Sequence, residues 1–180
     1  NTNNISVTSG ITYDAMIDSP TMSMTSTTRP VGNYAVLNPL CNSSVTLSNT
    51  NLSATYASTW QSVLSNFVMS SGKWYWEITG VALGVPSSQI GIDAIESVVT
   101  SYAGSRATAY VYQSNGQKWN NNTGVSYGAT YTTNDIIGVA FDADAGTIEF
   151  FKNNVSQGVA YTGIQTRNYT AVLSLNGATA

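Results

Sequence analysis

The chain contains no histidine and a single cysteine, Cys41. Zinc sites of the usual ligand types need several His or Cys side chains, and Ser-His and Cys-His nucleophile pairs need an imidazole, so these sites are excluded. One cysteine also excludes an internal disulfide and c-type haem attachment. We therefore expect no metal, no cofactor and no catalysis of the familiar histidine-dependent kinds.

Charge is also scarce. Only 8% of the 180 residues are charged, the net charge is -3, and the six basic residues are scattered. Binding along a phosphate backbone needs clustered Lys and Arg, so we expect no nucleic-acid partner. No apolar run approaches the roughly 18 residues of a membrane span, and no signal peptide is visible, so we expect no membrane insertion. Because the chain starts at Asn1 rather than Met, it suggests a segment of a longer protein.

Ser, Thr and Asn together make up more than a third of the chain. A surface solvated by hydroxyls and amides in place of ions is common in extracellular and virion-surface β-proteins. Proline is rare, yet Pro20 and Pro30 both lie in the polar first stretch, where they oppose regular structure. We predict that residues 1–33 form an N-terminal arm or linker and that residues 34–180 form one domain.

Apolar residues recur mostly with a period of two, which indicates strands. Gly, Asn, Asp and Ser separate the runs, as is typical of an antiparallel sandwich or barrel. A helix-like turn is predicted only around residues 57–65. The stronger strand candidates are 74–79, 89–93, 107–113, 136–142, 146–152 and 170–175, and the weaker ones are 34–37, 45–47, 52–56 and 66–69.

Two stretches predict where the core lies. In KWYWEI, Trp74, Trp76 and Ile78 would point to one face of a strand, and Lys73, Tyr75 and Glu77 to the other. Residues 135–154 predict a β-hairpin with an Asp/Gly turn, followed by a second turn at Asn153-Asn154. The predicted core residues are Trp74, Trp76, Ile78, Val139, Phe141, Ile148 and Phe150.

Five motifs in order resemble SPRY domains (the B30.2 core). They are SGKWYWEI (71–78), IGID (90–93), AYVYQSNGQKWNNN (109–122), NDIIGVAFDADAGTIEFFKNNVSQG (134–158) and YTAVLSLNG (169–177). The resemblance covers residues 70–177 and implies an all-β, two-sheet antiparallel sandwich of the concanavalin-like, jelly-roll type. Asn153-Asn154 stands where family members often have Asn-Gly.

Earlier segments resemble the lead-in of SPRY-containing bacteriophage proteins. They are MIDSPT (16–21), NYAVLNPL (33–40) and LSNTNLSAT (47–55). This resemblance implies a non-enzymatic virion surface protein, such as a fibre, spike or decoration protein. Its implied partners are other virion proteins and a host-surface glycan or protein, and a homotrimer is one option because fibre proteins commonly trimerise. The alternatives are a glycan depolymerase and a cellular SPRY protein-interaction module.

SPRY domains generally bind through loops at one end of the sandwich. Flat aromatic rings beside amides suit a sugar or a peptide. The alternative is that Tyr110 and Tyr112 fill the core and that the Asn-rich loop is merely solvated. The candidate ligand-binding residues are Tyr102, Arg106, Lys118, Trp119, Asn120, Asn121 and Asn122.

The acids predict no catalytic residue. The sequence around Asp142 and Asp144 has too few further oxygen ligands for a calcium-binding loop, and we expect the two acids to shape a turn. Asp93 and Glu96 could act together on a glycoside only if a cleft brought them together, so we expect solvated or turn-capping acids. Lys73 and Lys118 have no serine at the spacing of Ser-Lys catalysis.

Overall fold

The computed structural model describes residues 35–41, 44–81 and 88–180. The predicted arm at 1–33 lies outside these residues, and the boundary after it stays a prediction. The strands of the described part are β1 (Thr46–Ser48), β2 (Ser53–Tyr56), β3 (Gln61–Leu64), β4 (Lys73–Thr79), β5 (Ser88–Ala94), β6 (Tyr110–Gln113), β7 (Gln117–Asn120), β8 (Thr123–Ser126), β9 (Ile136–Asp142), β10 (Thr147–Lys152), β11 (Val155–Tyr161), β12 (Tyr169–Leu175) and β13 (Ala178–Thr179). A 3-10 turn spans Ala103–Ser105.

Two antiparallel sheets face each other. The larger has the strand order β3-β12-β5-β6-β7-β8, and the smaller has the order β11-β10-β9-β4. A third, short sheet joins β1, β2 and β13. The predicted all-β, two-sheet antiparallel sandwich is confirmed. No helix in the described part of the chain has the length and apolar character of a membrane span.

The main core lies between the two sheets because alternate residues of each strand point inward. Ile90, Ile92 and Tyr112 come from the large sheet and are fully buried. From the smaller sheet, Val139, Phe141, Ile148 and Phe150 are buried. Trp74, Trp76 and Ile78 lie on the edge strand β4, where they are half-buried and pack against this core.

The two predicted turns of the β9–β10–β11 meander form as turn chemistry dictates. Asp142 Oδ1 accepts hydrogen bonds from the backbone N–H groups of Asp144 at 3.1 Å and Ala145 at 2.9 Å. Asn153 and Asn154 have φ values of 49° and 65° and join Lys152 directly to Val155. Asn tolerates this left-handed region, so the departure from Asn-Gly leaves the turn intact.

Several local predictions differ from the structure. The predicted helical turn at 57–65 is wrong, because β3 occupies part of it and pairs with β12. In β3, Val63 enters the main core while Leu64 faces the opposite side. The weak candidates 34–37 and 66–69 contribute only isolated bridges at Leu37 and Met69, and Tyr34 lies outside the described residues.

The outer face of the large sheet carries a second core. The segment between β5 and β6 crosses this face and buries Val99, Ala103 and Ala109 against it. Polar side chains accompany this apolar cluster on the outward face of the strands, among them Ser62, Gln89, Asp93, Gln113, Thr170 and Ser174, all buried. Their hydrogen bonds position the loop that builds the candidate site.

Candidate functional site

A buried ion pair anchors the β5–β6 segment. The Asp93 side chain is fully buried, and its Oδ2 lies 2.5 Å from Nε of Arg106, whose side chain is 15% exposed. Asp93 Oδ1 accepts hydrogen bonds from the backbone of Ala94 and from the hydroxyls of Ser97 and Thr108. Buried charge is tolerated where a partner and hydrogen bonds satisfy it, as here. Asp93 is therefore a buried anchor that also caps a turn, not a solvated acid.

The Arg106 side chain also holds the β5–β6 segment by hydrogen bonds to backbone carbonyl groups of that segment. Its Nη1 donates to the carbonyl oxygens of Val98, Ser101 and Tyr102 at 3.2, 3.4 and 3.4 Å. The sequence suggests Arg106 as a ligand-binding residue, but the structure directs its guanidinium inward. Its contribution to a binding surface is to position the loop that carries Tyr102.

Tyr102 lies between two tryptophans. Its ring centroid is 5.8 Å from that of Trp60 and 6.1 Å from that of Trp119. Its hydroxyl donates a hydrogen bond to Oδ1 of Asn122. Trp60, Tyr102 and Trp119 are each half-buried, and Asn121 and Asn122 are exposed. We call these five residues the aromatic face.

Trp119, which the sequence suggests as a ligand-binding residue, is only half exposed. Its indole lies over Gly124, where an added Cβ would come within 2.4 Å of ring atom Cε2. An added Cβ at Gly104 would similarly lie 2.6 Å from the Trp119 Cβ. The Trp119 Nε1 donates to Gln117 Oε1 at 3.2 Å. Within the aromatic face, the Trp119 ring therefore mainly supports Tyr102, which it contacts edge-on.

The NNN stretch is not an open polar loop, because Asn120 ends β7 and the next two residues turn into β8. Asn121 and Asn122 have φ values of 48° and 59°. Their N–H groups donate to the carbonyl oxygens of Arg106 and Gly104, at 3.1 and 2.8 Å. The Asn120 amide donates back to Ala107 and Ala109 at 3.0 and 2.7 Å. The hairpin tip is thus tied to the β5–β6 segment.

Lys118 does not join the other candidates. It points to the opposite side of β7 from Trp119, and its Nζ donates to the carbonyl oxygen of Ala160 in the facing sheet. The Nζ lies 4.9 Å from the ring centroid of Tyr161 and 5.8 Å from that of Tyr127, which are cation–π distances. Lys118 therefore links the two sheets, away from the aromatic face.

The acids form no catalytic constellation in the described residues. Glu96 pairs with Arg167 at 2.6 Å on the surface, while Asp93 is committed to Arg106. Asp142 shapes the turn as expected, whereas Asp144 Oδ1 accepts the Gly72 N–H at 2.8 Å and so links the turn to the residue before β4. No group of three or more His, Cys, Asp or Glu side chains is placed to hold a metal ion in the part of the chain that the structure describes.

The sequence did not predict a cavity beside β4, because segments far apart in the chain line it. This cavity has a volume of about 520 Å³. Among the described residues, the buried Nε1 of Trp76 in its wall has no hydrogen-bond partner. The apolar side chains that line the cavity include those of Leu37, Phe67, Met69, Trp74, Trp76, Ile78 and Leu173.

Comparison with known proteins agrees with this architecture. The family model described as "SPRY domain" matches residues 73–180. The E3 ubiquitin-protein ligase RKP of Arabidopsis thaliana is 30% identical over 107 residues, which are 58% of this chain and 8% of that protein. The match therefore spans less than a tenth of that relative's length.

Two solved structures share the fold. The SPRY domain of human HERC1 superposes with a TM-score of 0.68 at 17% identity, over 79% of this chain and 91% of that one. The TRIM65 PSpry domain superposes with a TM-score of 0.64 at 15% identity, over 82% of this chain and 87% of that one. With a family match over more than half of its length, this chain belongs to the SPRY domain family.

Proposed function

We propose that this SPRY domain is a protein-interaction module whose aromatic face binds a segment of a partner protein. Support comes from the family and from its setting in the matched relative, an E3 ubiquitin-protein ligase. The bacteriophage virion role suggested by the sequence finds no support in these comparisons, and neither do virion partners or a homotrimer. The alternative of a cellular SPRY interaction module agrees better with them.

One observation carries the proposal: the aromatic face is preformed. Tyr102 is held by two rings, by its hydroxyl bond to Asn122 and by the Arg106–Asp93 anchor beneath its loop. Half-exposed aromatic residues that are already ordered lose little entropy on binding, so they dominate many protein interfaces. The exposed Asn121 amide beside them supplies a donor and an acceptor for a peptide backbone.

The same chemistry suits a sugar ring, so the test needs two arms. A random peptide library and a glycan array are both probed with the full 180-residue chain. We expect enrichment of peptides, and we expect Trp60→Ala and Asn122→Gly to weaken the selected peptides about tenfold or more. Glycine at position 122 keeps the positive φ of 59° and removes only the amide.

The matched control is Val155→Ala, because Val155 is 64% exposed and lies on β11 of the other sheet. It should leave peptide affinity unchanged. Binding to glycans without any peptide, or peptide binding that Trp60→Ala and Val155→Ala reduce equally, would overturn the proposed function.

A further inference from the structure

The four edge strands of the two sheets are not equally protected against pairing with a further strand. The outer side of β3 is capped, because Ser62 N–H donates to Val99 and Asn38 N–H donates to Leu64. At the other end of the large sheet, β8 is only four residues long. In the smaller sheet, β11 pairs with two register shifts, which bend an edge away from further pairing.

β4 lacks these protections. It pairs with β9 over seven residues in unbroken register. Among the described residues, no strand pairs with its other side. Natural proteins usually shield a regular edge of this length, because its unpaired N–H and C=O groups form a template for another strand.

The pairing with β9 shows which backbone groups face outward. The carbonyl oxygen of Gly72 accepts a hydrogen bond from the Ala143 N–H at 2.9 Å, and the Gly80 N–H donates to the carbonyl oxygen of Asp135 at 3.0 Å. Backbone bonds alternate along an antiparallel strand, so the even-numbered residues between them face β9. The odd-numbered residues direct their N–H and C=O groups to the unpaired side, and these are Lys73, Tyr75, Glu77 and Thr79.

The outward-facing residues are complementary to themselves. We propose that a second copy of this chain pairs antiparallel along β4, on a two-fold axis through Tyr75. Lys73 then lies opposite Glu77 of the second copy, and the same ion pair forms again on the other side of the axis. Trp74 lies opposite Trp76 of the second copy on the inner face. An isologous pairing of this kind closes at two copies and makes a dimer.

The side chains of Tyr75 and Lys73 do not block such pairing. The Tyr75 ring lies across Gly138, where an added Cβ would come within 2.5 Å of the Tyr75 hydroxyl. The centroid of the Tyr75 ring lies 6.2 Å from that of Phe151. Tyr75 thus leans over its own sheet, away from the unpaired side. The Lys73 side chain is 81% exposed, so its 3.3 Å contact with Asp142 leaves it able to reach a second partner.

Charge reversal tests the register directly. Lys73→Glu alone places like charges opposite each other twice per dimer, and so does Glu77→Lys alone. We expect each variant to weaken self-association about tenfold in sedimentation equilibrium up to about 1 mM protein. Mixing the two single variants should restore association as a heterodimer, and the double variant should restore the homodimer. Arg167→Glu, at an exposed residue outside β4, is the control.

Amide hydrogen exchange provides a residue-level readout. At concentrations where the dimer forms, the amides of Lys73, Tyr75 and Glu77 should gain protection, whereas those of Trp74 and Trp76 should be protected already in the monomer. A chain that stays monomeric overturns the proposal. So does a monomer whose Tyr75 amide is already protected, because another segment would then occupy this edge. Association that the single charge reversals do not weaken would also overturn it.

Discussion

At the residue scale, Arg106 anchors the β5–β6 segment through its ion pair with Asp93. Removing its charge leaves the Asp93 carboxylate buried without its counter-ion, and breaking one partner of a buried pair costs about 3–5 kcal/mol. We expect Arg106→Met to lower the free energy of unfolding by that amount in urea denaturation. The matched control is Arg167→Met, because the Arg167–Glu96 pair is 44% and 59% exposed, and exposed pairs contribute about 1 kcal/mol at most. Equal losses in the two variants would contradict a buried anchor.

A substitution at Trp119 shows whether this ring, on the binding side of the large sheet, contributes to the stability of the fold. Because its indole is half-buried over Gly124 and contacts the Tyr102 ring, Trp119→Ala should cost about 2–3 kcal/mol, somewhat less than a fully buried tryptophan. Val98→Ala, at a position 71% exposed, should change stability by about 0.5 kcal/mol or less. A Trp119→Ala melting temperature no lower than that of Val98→Ala would show that the ring is a free contact residue.

At the scale of elements, Asn154 contributes to the β10–β11 turn only through its backbone conformation. Asn154 is exposed and has a φ of 65°, whereas the Asn153 side chain bonds Ile136 and Asp135. Asn154→Gly should therefore raise the melting temperature slightly, because glycine enters this region at no steric cost. Asn154→Val should lose about 1–2 kcal/mol, since a branched side chain is strained there. Thermal unfolding of both variants checks this, and equal stability would contradict the turn assignment.

The hairpin at 135–154 shows what the sequence predicts well. Its alternation is strong, its turn residues match their conformations, and both signals are local. The β7–β8 hairpin was missed because Asn121 and Asn122 resemble a solvated loop, while the strands beside them carry little apolar alternation. β3 was missed for a related reason: the mixture of apolar and polar residues at 57–65 also fits one turn of helix.

The candidate site depends on longer-range contacts. Arg106 and Asp93 are thirteen residues apart, and only the way the β5–β6 segment folds back over the sheet brings them together. Trp60 reaches Tyr102 from a different part of the chain. The aromatic character of the 102–122 region could be predicted from the sequence. The inward direction of Arg106 and Lys118 could not. Arg106 lies in a loop whose path depends on its pairing with the distant Asp93, and the sequence did not predict β7, the strand that carries Lys118.

On the scale of the whole molecule, the two cores differ in kind. The space between the sheets is filled by aliphatic side chains and by rings such as Tyr112, Tyr131 and Phe150. The outer face of the large sheet combines a small apolar cluster with buried hydroxyls, amides and one ion pair. Buried polar groups need specific partners, so this second layer gives the β5–β6 segment one arrangement, whereas the first supplies most of the apolar burial.

The tyrosines of the main core make the whole sandwich sensitive to alkali. Burial raises the pKa of Tyr127 and of Tyr169 to about 12, and it also raises the pKa of Tyr112, Tyr131 and Tyr161. An unfolded tyrosine ionises near pH 10, so the folded state favours the neutral phenols. Their contribution to stability is full below about pH 10 and is lost as the pH rises through the folded values.

We therefore expect cooperative unfolding above about pH 10 to 12, with tyrosinate absorbance at about 295 nm rising together with the loss of far-ultraviolet circular dichroism. Tyr161→Phe supplies the control, because it removes one titrating hydroxyl while keeping the ring, whose centroid lies 5.2 Å from that of Tyr110. That variant should unfold at a slightly higher pH than the parent chain. Ionisation of all eleven tyrosines near pH 10 with unchanged circular dichroism would mean that their hydroxyls reach water in the folded protein, contrary to the sandwich core described above.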